Sequence, residues 1–180
     1  MTSGRAVFLD RDGVLVQEVL VDGAPFAPLT IADFHLLPEA AAQVQRLRDA
    51  GLTCVVFTNQ PEVARGLLPA DTLERMHREL RATVPVDDVY VCPHVDADGC
   101  NCRKPRPGML TSAAERWDVC LEQSFVIGDR WRDIDAGRAV GCYTILIDRP
   151  YSACETADVS VPTLVDAVNA IMARLERVQP

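Results

Sequence analysis

Short apolar runs alternate with stretches of helical period from one end of the chain to the other. The runs are AVFL (Ala6 to Leu9), LTCVVF (Leu52 to Phe57), VDDVYV (Val86 to Val91), SFVI (Ser124 to Ile127) and YTILI (Tyr143 to Ile147). Their length and β-branched content predict strands, and the intervening segments predict helices, a pattern that belongs to an α/β fold with a mostly parallel sheet. PEAAAQVQRLRDAG, Pro38 to Gly51, opens on proline and stops on glycine, the ordinary start and stop of a helix. Further helices are expected over Pro69 to Thr83, Pro107 to Trp117, Trp131 to Val140 and Thr163 to Val178. The stretch Val16 to Leu37 shows neither period and reads as a long irregular loop overhanging the end of the first strand.

There is no internal repeat and no low-complexity linker, and 180 residues suffice for one substantial core but not for two. Residues 1–180 are therefore expected to form a single domain. Within it, the polar residues of interest fall at the carboxyl ends of apolar runs: Asp10 and Asp12 after the first, Thr58 and Asn59 after the second, Asp129 and Asp133 after the fourth. In open α/β sheets this is the crevice where ligands bind.

Charge narrows the partners. The net charge is -8 and the basic residues are scattered, so the chain carries no electrostatic footprint for nucleic acid or anionic lipid. No apolar run approaches the roughly 20 residues of a membrane span, and MTSGRAVFLD lacks a signal-peptide core, so a cytoplasmic protein is expected. The 7 cysteines are an odd number, with three crowded into one segment, which suits metal binding in a reducing compartment better than disulfides. Cys54, Cys120, Cys142 and Cys154 lie in or beside apolar stretches and read as small buried hydrophobes.

In VFLDRDGVL, Asp10 and Asp12 lie two apart at a strand mouth, and Gly13 allows a sharp exit. With Asp129 added, the carboxylates repel one another unless a hard cation sits among them, and Mg²⁺ suits such oxygen ligands. Solvated caps are the alternative, which three matched strand ends weigh against. Further along, Cys92-x-His94 and Cys100-x-Cys102 supply a complete tetrahedral set for Zn²⁺ and leave no open position, so that site is expected to be structural. The alternatives are a buried histidine with incidental cysteines, and a calcium loop at DADG, for which the remaining oxygen ligands and a closing glutamate are missing.

These residues resemble the haloacid dehalogenase (HAD) superfamily of phosphohydrolases, whose four motifs occur in order as DRDGV, FTNQ, the lysine of RKP, and GDRWRD. The resemblance implies a Rossmann-like three-layer sandwich with a minimal cap. It also implies Asp10 as nucleophile forming an aspartyl phosphate, and Asp12 as general acid and base. Mg²⁺ would be held by the Asp10 and Asp129 carboxylates and the Asp12 carbonyl, and the phosphoryl oxygens by Thr58, the backbone after it and Lys104, with Asp133 in support. The Cys-x-His and Cys-x-Cys pairs running into Arg-Lys-Pro are similar to the branch that comprises D-glycero-D-manno-heptose 1,7-bisphosphate 7-phosphatases and histidinol-phosphate phosphatases. That likeness implies zinc on Cys92, His94, Cys100 and Cys102 (a loop over residues 92–102) and substrate contact by Arg103.

Asn59 is a further expected substrate contact. Arg65 is either a substrate contact or a solvated loop cation, and Arg130 either reaches a phosphate or faces solvent. Cations at these places favour a second phosphate, hence a sugar bisphosphate, over the amine of histidinol phosphate. A binding protein that kept the fold without the activity would be expected to lack a catalytic carboxylate, and none is missing. Two departures bear on the substrate. Pro61 and Glu62 stand where the branch commonly has Ser-Gly, and VQEVLVDGAPFAPL lacks the Asn-Val-Asp and Tyr-Val of the heptose enzymes.

Overall fold

A computed structural model describes residues 4–152 and 156–178. In chain order its elements are β1 (Ala6–Leu9), β2 (Val19–Val21), β3 (Ala24–Phe26), α1 (Ala40–Asp49), β4 (Thr53–Asn59), α2 (Ala70–Thr83), β5 (Asp88–Cys92), α3 (Gly108–Trp117), β6 (Phe125–Gly128), α4 (Trp131–Arg138), β7 (Tyr143–Ile147), β8 (Val159–Val161) and α5 (Leu164–Val178). Six strands form one sheet in the order β5-β4-β1-β6-β7-β8, all neighbours parallel. β1 is flanked by β4 and β6, so the chain winds outward in both directions from it and the crevice of a parallel sheet opens at its carboxyl end.

The apolar runs are continuous because both faces of the sheet are covered. Val7 and Leu9 of β1 pack with Val56 against α1, α2 and α5, while Ala6 and Phe8 pack with Val55 and Phe57 against α3 and Ala136 of α4. This is the expected three-layer sandwich.

Two elements depart from the sequence reading. The segment expected to be irregular, Val16 to Leu37, contains the antiparallel hairpin β2–β3, with Val19 opposite Phe26. Asp22 and Gly23 form its turn with φ of 51° and 77°, the left-handed pair that Asp-Gly suits. β8 was not expected either. Each of these strands has 3 residues, too short to display a period. Boundaries also shift: β4 runs on through Thr58 and Asn59, which form its last two residues rather than the loop beyond, and β5 ends on Cys92.

Cys54 and Cys142 are buried as expected. Cys120 is only half-buried, and its thiol donates to Glu122 Oε2 at 3.3 Å, which corrects its reading as a buried hydrophobe. Cys154 lies outside the described residues. Among those residues no helix is long and apolar enough to cross a membrane.

Candidate active site

The carboxyl ends of β1 and β6 bring the acidic residues together. The Asp10 N–H donates to Ile127 O at 2.9 Å, extending the ladder one residue past β1 and fixing where its side chain emerges. Gly13 (φ 86°) crosses so close to Asp129 that a Cβ there would lie 2.2 Å from Asp129 Oδ2, and a Cβ on Gly128 would lie 2.2 Å from that of Asp133. Glycine at both positions is what lets the loops close on the acids. Carboxylate oxygens of Asp10, Asp129 and Asp133 then lie within 4.8 Å of one another.

Burial, reinforced by the Asp133 charge and opposed by Lys104, raises the Asp10 carboxyl to about 6. Burial, with Asp10 and Asp133 nearby, also pushes Asp129 well above the usual carboxylate range. Tyr151 Oη donates to Asp129 Oδ2 at 2.9 Å, but Asp129 Oδ1 is buried without a hydrogen-bond partner. A buried, orphaned carboxylate oxygen amid like charges is what a hard cation would relieve, so these residues fit a Mg²⁺ site.

Lys104 lies across this cluster. Its Nζ donates to Asp133 Oδ1 at 2.6 Å, Asp10 Oδ1 at 2.8 Å and Phe57 O at 3.0 Å, which occupies all three N–H groups. Burial works against the ammonium, but Asp10 and Asp133 outweigh it and its pKa is raised, so Lys104 is charged. Asn59 grips the Lys104 backbone reciprocally, its amide donating to Lys104 O at 3.2 Å and its Oδ1 accepting from Lys104 N at 3.1 Å. Asn59, expected as a substrate contact, lines the cavity but has its side-chain amide engaged in holding Lys104.

Asp12 projects to a different neighbourhood, and its carboxylate is not part of the acidic cluster. Arg11, between the two aspartates in sequence, is fully buried and donates from Nε and Nη2 to Asp12 Oδ1 and Oδ2, each at 2.9 Å. Gln60 Nε2 donates to Asp12 Oδ2 at 2.8 Å and to Thr58 Oγ1 at 2.9 Å, linking the aspartate to the threonine expected to hold phosphate. On the far side, Arg11 Nη1 meets His77 Nε2 of α2 at 3.1 Å. Burial and the Arg11 charge lower the His77 pKa to about 3, so the ring is neutral and Nε2 accepts.

The three cysteines and the histidine converge from β5 and the loop after it. Cys92 Sγ lies 3.6 Å from His94 Nδ1 and 3.7 Å from Cys100 Sγ, while Cys102 Sγ lies 3.5 Å from Cys100 Sγ and 3.3 Å from His94 Nδ1. A tetrahedral zinc with its usual bond lengths separates neighbouring ligand atoms by about 3.5 to 3.8 Å. The spacing fits zinc and is far too long for a disulfide. Arg103 is tied to this loop, donating to Asp96 Oδ1 at 2.7 Å and to His94 O at 3.1 Å.

Asp10, Asp12, Thr58, Asn59, Arg65, Arg103, Lys104, Arg130 and Asp133 all line one cavity of about 240 Å³, roofed by Pro25, Phe26 and Ala27 of the hairpin region. Arg65 is paired with Glu62 at 3.1 Å and its side chain is 51% exposed, so it is a rim cation free to reorient. Arg130 donates to Pro25 O at 3.3 Å and lies over the Tyr151 ring. Asp129 sits beneath, fully buried. Sequence reasoning missed Arg11, Gln60, His77, Tyr151 and Arg132, the last also lining the cavity. For His77 a signal existed: it shares the helical stripe of Leu73, Met76 and Leu80, where a polar residue is out of place.

A family model described as HAD-hydrolase-like matches residues 101–165. A D-glycero-β-D-manno-heptose-1,7-bisphosphate 7-phosphatase of Pseudomonas putida is 38% identical over 148 residues, 79% of this chain and 82% of that protein. A D-glycero-D-manno-heptose-1,7-bisphosphate 7-phosphatase of Thermosynechococcus vestitus is 38% identical over 158 residues, covering 79% and 78%. Among solved structures, the D,D-heptose 1,7-bisphosphate phosphatase of B. bronchiseptica, complexed with magnesium and phosphate, superposes with a TM-score of 0.82 at 31% identity over 94% of this chain and 99% of that one. The acidic cluster, the lysine across it and the cysteine loop beside it thus stand in a chain that belongs to the heptose-1,7-bisphosphate 7-phosphatase family of HAD-like hydrolases.

Proposed function

We propose that this chain is one phosphatase domain that removes a phosphate from a small phosphorylated sugar, with D-glycero-D-manno-heptose 1,7-bisphosphate as substrate and its 7-phosphate as the group transferred. Asp10 attacks phosphorus and forms an aspartyl phosphate, while Asp12 protonates the leaving alkoxide and then takes the proton of the water that hydrolyses the intermediate. Lys104, already charged and fixed by Asp133 and Asn59, stabilises the spreading phosphoryl charge together with Thr58. Asp10, Asp129 and the Asp12 carbonyl would hold Mg²⁺, which when bound would neutralise charge between nucleophile and phosphate. Cys92, His94, Cys100 and Cys102 would hold zinc, which would keep the loop that presents Arg103 and Lys104 in one geometry.

The observation that carries the choice of substrate is the lining of the cavity beyond Lys104. It holds Arg65, Arg103, Arg130 and Arg132; Arg65 pairs with Glu62, Arg103 with Asp96 at 2.7 Å and Arg130 with Asp129 at 3.9 Å, and of these three carboxylates Glu62 alone is among the residues lining the cavity. A second phosphate suits this field and the amine of histidinol phosphate does not. The test is kcat/KM, with Mg²⁺, for both anomers of heptose 1,7-bisphosphate, histidinol phosphate and simple sugar monophosphates. A heptose bisphosphate preferred by about tenfold or more is expected, the value of one charged contact. Preference for histidinol phosphate would replace the substrate, and inactivity across the panel would restore the reading as a binding protein.

A further inference from the structure

Arg11 is a fully buried cation of the active-site region that the reaction itself does not employ. Two residues past the end of β1, it is not among the residues lining the cavity but lies in a space walled by Phe34, whose ring centre is 5.6 Å from the guanidinium carbon, and by His77 of α2. Two of its N–H groups grip the two oxygens of Asp12 at 2.9 Å, and a third N–H is taken by His77 at 3.1 Å. A bidentate fork sets the plane of the carboxylate it holds. The fork is itself free to swing unless its other end is anchored, and here the anchor is a neutral imidazole in the apolar stripe of α2.

We propose that the His77–Arg11 pair is the positioning device for Asp12: His77 fixes the guanidinium, and the guanidinium fixes the angle at which the Asp12 carboxyl faces the leaving group. The inference rests on the phosphatase reading above and adds to it a contribution from α2, a helix that carries none of the four motifs. Gln60, bonded to both Asp12 and Thr58, fixes the same carboxylate from the other side. His77 is a positioning residue, since it touches Asp12 only through Arg11.

Replacing Arg11 would leave the buried Asp12 carboxylate without its ion pair and His77 Nε2 without its donor, so His77 is the place to test. His77→Leu removes the acceptor, and His77→Gln keeps one in its amide oxygen. Two substrates separate positioning from general damage: heptose 1,7-bisphosphate, whose alkoxide needs a proton to leave, and p-nitrophenyl phosphate, whose phenolate does not. His77→Leu should lower kcat on the sugar about tenfold or more with KM nearly unchanged, as for weakened general acid catalysis. Its pre-steady-state burst of p-nitrophenolate should stay close to the wild-type rate, and His77→Gln should recover most of the loss. Equal losses on both substrates, no loss at all, or no recovery by glutamine would overturn the inference.

A second measurement needs no variant. In ¹⁵N NMR of the wild type, the His77 Nε2 should be an unprotonated acceptor at neutral pH; a protonated Nε2 would overturn the proposed anchor. Inactivity of the wild type on every ester would overturn the phosphatase reading and this inference with it, whereas an active wild type with equal losses overturns the inference alone.

Discussion

Lys104 Nζ and Asp133 Oδ1 lie 2.6 Å apart, closer than the same ammonium lies to Asp10 at 2.8 Å. The two arrive from opposite sides of the site, one after the cysteine loop and the other from the first turn of α4. Asp133 Oδ2 also accepts the Arg130 N–H at 3.0 Å, so one carboxylate both caps the helix and holds the lysine. Asp133 therefore fixes Lys104, and the position of that ammonium depends on a helix N-terminus.

Asp133→Asn keeps the volume and removes the charge. The expected outcome is a fall in kcat of about 10² with a smaller change in KM, because a charge displaced from the transferring phosphoryl group loses its effect in the transition state first. Steady-state kinetics on the sugar phosphate check this; a change confined to KM would place Asp133 in substrate binding instead.

Zinc should be present at about one equivalent per chain in elemental analysis of protein purified without chelator. Cys100→Ser should lose the metal and lower the thermal midpoint. At temperatures where that variant is still folded, turnover should already be reduced, because Arg103 and Lys104 follow Cys102 directly and Arg103 is bonded to the loop through Asp96 and His94.

Much of this arrangement was legible from residue types at strand ends, since Asp10, Thr58, Asn59, Lys104 and Asp133 do meet in one cavity. The hairpin β2–β3 was hidden because its strands have 3 residues each, although the Asp22-Gly23 turn announced it. Arg11 was hidden for a different reason. Its partners beyond Asp12 are Phe34 and His77 of α2, the latter 66 positions away, so no local pattern shows that a cation here is buried. The role of Asn59 depends on a residue 45 positions away, a relation that no local pattern carries.

Acid stability should register His77. Its pKa falls from 6.5 to about 3 on folding, so the folded state resists the proton that the unfolded chain accepts. The corresponding stability is fully present above about pH 6.5 and is lost as pH falls toward 3, at a limiting slope of about 1.4 kcal/mol per pH unit. Urea unfolding of wild type and His77→Gln between pH 7 and 4 should show a shallower decline in the variant; parallel curves would contradict the burial of a neutral imidazole.

Arg132 lines the cavity and stands among the cations assigned to a second phosphate. Arg132→Ala should lower kcat/KM for the bisphosphate by about tenfold, the value of a charged hydrogen bond, and leave a sugar monophosphate nearly unaffected. Equal effects on both would remove Arg132 from recognition of the second phosphate.

The covalent role of Asp10 is the centre of the account. It is tested most directly by phosphate release from heptose 1,7-bisphosphate with Mg²⁺ by the wild type and by Asp10→Asn. The wild type should turn over and the variant should release no phosphate above background, since an amide in that place cannot form the aspartyl phosphate. Turnover surviving in Asp10→Asn would contradict the mechanism.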